Sequence, residues 1–149
     1  MNDLRLSGVD PAARSRARRR ALQALYAWEV SNTPMPRVID QFEHEQEMSI
    51  ADLDYFKAIL VGIEHHLHEL DDKLRPFLDR EVAEVDLIER SVLRIASFEL
   101  IHRIDVPYRV VINEAIECAK RFGTEHGHTY VNGVLDKMAE HCRSVEYGR

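Results

Sequence analysis

Apolar residues recur along most of this chain at intervals of three and four, and nowhere alternate singly between turn residues, so helices without sheet are expected. Asp10-Pro11 gives the first start signal: the carboxylate accepts from a free backbone N–H, and proline has no N–H to lose at the first helical position. The helix that follows spans about 11–31, with Ala17, Ala21, Ala24, Leu25 and Trp28 on its inward side, and Ser31-Asn32-Thr33-Pro34 stops it. A short second helix over about 37–47 carries Val38, Ile39 and Phe42. The third runs over about 52–74 with Phe56, Ile59, Leu60, Ile63, Leu67, Leu70 and Leu74 on one face, until Arg75-Pro76 breaks it. A fourth covers about 86–104 and ends at Asp105-Val106-Pro107. The fifth, about 108–122, stops at Gly123, which takes a left-handed cap cheaply. A sixth starts between 125 and 128 and reaches about 142.

The fourth helix carries two apolar stripes, Ile88/Val92/Ile95/Ala96 and Leu93/Leu100/Ile104, separated by about 140° at about 100° per residue. A helix apolar on two sides is central, which predicts an all-α fold: a single helical bundle domain of about six to seven helices in two subdomains. With 149 residues, 45% of them hydrophobic, one core is enough. The expected limits are a flexible arm over 1–9, the domain over 10–143 and a flexible tail over 144–149. No apolar run approaches the ~18 residues of a membrane span and no secretory leader pattern opens the chain, so a cytoplasmic location and no membrane partner are expected.

Charge changes the picture. The formal net charge is -6, yet residues 1–37 hold seven arginines against three acids, net +4, which leaves -10 for the remainder. One basic pole for an anion and one acidic surface for something else are implied. On the first helix Arg19, Gln23 and Tyr26 fall on one exposed line, with Arg16 and Arg20 beside it, while Arg14 and Arg18 extend the apolar side. Guanidinium groups bind phosphates and stack on bases, and tyrosine offers a ring face, so the line suits single-stranded RNA. A solvated charged face is the competing reading, and the pattern alone specifies only an anion.

Catalytic and cofactor chemistry lack a scaffold: the chain has no phosphate-cradling loop, nucleophile elbow or dinucleotide turn. His65, His66 and His68 crowd one helical turn but point to different sides and form no HExxH pair, so no metal site is expected. Cys118 and Cys142 are too far apart for a CxxC pair and are expected to pack as small apolar residues.

Four stretches resemble the NusB transcription-antitermination family: the arginine run before ALQALYAWE in helix one, VLRIASFEL at 92–100, DVPYRVVINEAIECAKRFG at 105–123 and YVNGVLDKMA at 130–139. The resemblance covers about 12–142, with 32–85 matching mainly in helix pattern. It implies a non-enzymatic protein that needs no cofactor and binds boxA-type single-stranded nascent RNA. Its implied partners are NusE, a small-subunit ribosomal protein, and the RNA polymerase antitermination complex, with ribosomal RNA operons as the target. Carried over residue by residue, the RNA surface comprises Arg14, Arg16, Arg18, Gln23, Tyr26 and Tyr130, and the protein-partner surface Glu89 and Tyr108. His126 stands where relatives often carry an acid, and a histidine there is expected to strengthen RNA binding. The rival readings are a helical interaction protein or homodimer, and a stand-alone relative of the NusB-like domain of some RNA cytosine methyltransferases, although no Gly-rich loop for S-adenosylmethionine is present.

Overall fold

The computed structural model describes residues 8–45 and 48–148 of the chain, and all of its regular structure there is helical. We number the helices α1 (Pro11–Ser31), α2 (Met35–Glu45), α3 (Leu53–Leu74), α4 (Leu87–His102), α5 (Tyr108–Phe122), α6 (Gly127–Cys142) and α7 (Ser144–Tyr147), with 3-10 turns at Arg75–Phe77 and Val82–Glu84. The all-α expectation is met. The chain divides into two compact units, residues 1–61 and 62–149, and the division falls inside α3. The expected arm lies mostly in residues 1–7 and the expected end of helix two at 46–47, both outside the described residues.

In the first unit α1 begins as its sequence dictates. The Asp10 carboxylate accepts from the amides of Ala12 at 3.0 Å and Ala13 at 3.3 Å, with Pro11 next to it. Asn32 closes the helix in the left-handed conformation (φ 57°, ψ 29°), its N–H donating to the Trp28 carbonyl. Ala17, Ala21, Leu22, Ala24 and Leu25 are buried, and α1 packs on α2. Helix α2 starts two residues earlier than its apolar pattern suggests. The Pro34 carbonyl accepts from Arg37 and Val38, Pro36 sits in the first turn where its missing N–H costs nothing, and Met35 is fully buried.

In the second unit every residue of α4 from Ser91 to Leu100 is buried, and α4 packs on α5 and α6. The expectation of a helix buried on both sides holds for this stretch but fails at its end. Helix α4 stops at His102, so Ile104 leaves the apolar stripe and is 78% exposed, while Val106 turns inward. Arg143 accounts for the early stop. From the end of α6 its guanidinium donates to the carbonyls of Glu99, Leu100, Arg103 and Val106, satisfying groups a helix end leaves open.

Four further details differ from the sequence expectation. Helix α3 is kinked at His66 (φ -110°, ψ 17°) rather than continuous. Gly123 ends α5 in extended backbone (φ -92°, ψ -169°), not left-handed, and its lack of a side chain serves space instead: a Cβ there would lie 2.6 Å from Glu89 Oε2. Where a flexible tail is expected, α7 folds back, Arg143 bonding Glu146 at 2.7 Å and the Tyr147 hydroxyl donating to Asp136 at 3.0 Å. Cys118 is buried as expected, whereas Cys142 is exposed. Among the described residues no helix is long and apolar enough to cross a membrane.

Candidate nucleic-acid interface

The arginines of α1 divide by the direction their helical positions give them. Arg14 and Arg18, four apart, both turn onto Tyr55 of α3, with guanidinium carbons 4.1 and 5.4 Å from the ring centroid. Arg14 also pairs with Asp52 at 3.8 Å, and Arg18 is 3% exposed. A cation over a desolvated ring is held firmly, so this pair braces α1 against α3. The sequence places both residues on the apolar side of the helix, and their inward direction follows from that. Tyr55 itself is positioned by Asp52, whose carboxylate accepts the Tyr55 amide at 3.0 Å.

Arg16 and Gln23 are half-buried with partners of their own. Arg16 donates to the Ile50 carbonyl at 3.1 Å, fastening the loop before α3, and Arg20 donates to Gln23 Oε1 at 3.1 Å. Arg19 is half-buried, and Tyr26 is 46% exposed. Arg16, Arg19, Gln23 and Tyr26 therefore present cations, an amide and a ring face along one helix.

Tyr130, Glu89 and Tyr108 belong to the second unit. The Tyr130 ring carries the Arg80 guanidinium 4.8 Å above it, and burial, followed by the nearby Asp79 carboxylate, pushes its phenol above the ordinary value. Arg80 has no pattern in the sequence that announces this contact; it lies in the irregular segment between α3 and α4. Glu89 and Tyr108 are buried, at 5% and 8% exposure, rather than surface residues. Glu89 accepts from the Thr124 amide at 3.2 Å, and burial raises its carboxyl above the ordinary range. The Tyr108 amide donates to Glu146 at 2.8 Å and its ring packs on Tyr147. His126 is exposed at the start of α6. The structure thus gathers Arg14, Arg16, Arg18, Gln23 and Tyr26 on one helix, and keeps Glu89, Tyr108 and Tyr130 within the other unit.

Residues 15–140 match the NusB family model. The chain belongs to the NusB family. A transcription antitermination protein NusB of Stenotrophomonas maltophilia (strain K279a) is 61% identical over 145 residues, covering 97% of this chain and 91% of that protein. One from Xanthomonas axonopodis pv. citri (strain 306) is 62% identical over 144 residues, with the same coverages. Among solved structures, T. maritima NusB superposes with a TM-score of 0.79 at 29% identity, covering 91% of this chain and 96% of that one. A chain from the crystal structure of antitermination factors NusB and NusE in complex with dsRNA shares the NusB fold, with a TM-score of 0.70 at 23% identity, over 85% of this chain and 96% of that one.

Proposed function

We propose that this NusB-family protein is a transcription antitermination factor with a binding rather than catalytic role, capturing boxA-type single-stranded RNA and assembling with NusE on RNA polymerase to carry transcription through ribosomal RNA operons. The observation that carries the reading is the outward line of Arg16, Arg19, Gln23 and Tyr26 on α1, a cationic and aromatic face on a chain of net charge -6. Cations contact phosphates without regard to sequence, while an exposed ring stacks on an unpaired base. Arg14 and Arg18 serve this face from behind, holding α1 on Tyr55. Tyr130, with Arg80 over its ring, forms a second stacking platform. The acidic remainder of the chain suits a basic ribosomal protein, the opposite charges steering their encounter. Glu89 and Tyr108 support that partner surface from within.

A titration of boxA-like single-stranded RNA, a scrambled RNA and a duplex RNA at two salt concentrations, with and without NusE, tests the reading. Binding of the boxA-like strand should be tightest, weaken with salt and improve when NusE is present. Equal affinity for all three RNAs under both conditions would remove the antitermination role.

A further inference from the structure

His66, Glu69 and His102 converge in the second unit although 33 residues or more separate the third from the other two. Glu69 Oε1 lies 2.6 Å from His102 Nε2 and 3.5 Å from His66 Nδ1, and one ligand atom from each residue falls within 4.8 Å of the other two. His66 and Glu69 occupy one face of α3 at i and i+3, and His102 is the last residue of α4, so two elements supply the group. The imidazoles stack with centroids 4.0 Å apart and planes at 21°, which keeps both rings beside the Glu69 carboxylate, and a turn of one ring about its side-chain bonds brings the two in-plane lone pairs to a common point. The non-helical backbone of α3 occurs at His66 itself.

We propose that His66, Glu69 and His102 form a binding site for a divalent transition-metal ion, zinc being the representative, that clasps the end of α4 to α3. Two imidazoles and one carboxylate are a donor set that zinc, cobalt and nickel accept, and that magnesium and calcium, which prefer oxygen donors alone, do not. Zinc bonds of about 2.0–2.2 Å place tetrahedral ligand atoms about 3.3–3.5 Å apart. The two imidazole nitrogens lie 2.6 and 3.5 Å from the Glu69 oxygen and all three donor atoms within 4.8 Å of one another, so side-chain rotations have to adjust each spacing by little more than 1 Å to close the site. The side chains are 35%, 44% and 26% exposed, which leaves a path for the ion and room for water in the remaining coordination position. Neighbouring His65 and His68 are not part of the set: His65 meets the His66 ring edge-on, and His68 faces Asp72 at 3.5 Å.

The test is calorimetric titration of the tag-free full chain with zinc chloride and with cobalt chloride, the latter also followed by visible absorption. One ion per chain is expected, with cobalt d–d bands that report nitrogen and oxygen coordination. His102→Ala and Glu69→Gln should each weaken zinc binding tenfold or more, and Glu69→Gln, at an exposed position, keeps the fold for comparison. His68→Ala should leave the affinity unchanged. No binding by the unaltered chain, or binding that survives both ligand substitutions or is lost equally in His68→Ala, would overturn the site.

Discussion

The Glu89 carboxylate accepts the Thr124 backbone amide at 3.2 Å, tying the first turn of α4 to the loop that leads into α6. The glycines around it leave just enough room: a Cβ on Gly127 would sit 2.6 Å from Glu89 Cδ. Burial holds the Glu89 carboxyl above its ordinary value, so the folded state binds this proton more tightly than the unfolded chain does. As pH rises through the ordinary glutamate range, the unfolded chain ionises first and folding loses stability until the buried carboxyl has ionised too. Glu89→Gln removes that cost and keeps an acceptor for Thr124. Thermal melts should show the variant at least as stable as the unaltered protein near neutral pH, with its advantage shrinking as the pH falls below the ordinary glutamate range, where the carboxyl is protonated in the folded and the unfolded chain alike.

Gly127→Ala should destabilise by about 1–3 kcal/mol, the usual cost of overpacking. The cost should fall when Glu89 is shortened to Ala in the same chain, because the two share the space. A double-mutant cycle by denaturant unfolding reads the coupling, and strict additivity would contradict the contact.

Arg143 is 7% exposed, and its one planar group donates to four separate carbonyls. Arg143→Ala should cost about 2–4 kcal/mol, since several buried acceptors lose their donor. Arg143→Lys should recover only part of this, because a single ammonium cannot span the same fork. Denaturant midpoints of the two variants check the order.

Arg18 and Tyr26 lie on the same helix and should fail differently. Arg18→Ala removes a buried cation from the Tyr55 face and should lower the melting temperature, with RNA affinity falling only as far as the folded fraction does. Tyr26→Ala should leave the melting temperature nearly unchanged and cost about 1–3 kcal/mol of RNA binding through lost stacking. Paired melts and RNA titrations of both variants separate the two roles.

The start of α1 was legible in the sequence, because Asp10-Pro11 places a short acceptor where the first amides need one, and the structure shows Asp52 and Asp86 doing the same for α3 and α4. What the sequence hid was set by residues far along the chain. Ile104 follows the apolar period of α4, but Arg143, about forty residues later, closes the helix before reaching it. Glycine at 123 signals a left-handed cap by type, whereas the Glu89 carboxylate determines why glycine stands there. His66 and Glu69 show helical spacing, yet nothing local announces that His102 meets them. On α1 the wheel put Arg14 and Arg18 on the apolar side while the family resemblance put both on the RNA surface, and neither gave a sign that Tyr55 receives both and leaves Arg18 buried.

The most direct test of the RNA-binding face is the salt dependence of affinity for a boxA-like single strand, compared between the unaltered protein and Arg16→Ala, Arg19→Ala and their double variant. Each lost phosphate contact should flatten the slope of log affinity against log salt by about 0.7 for a single strand, the double variant by about twice that. An unchanged slope and affinity in the double variant, with the fold intact, would contradict the claim that this face of α1 holds the transcript.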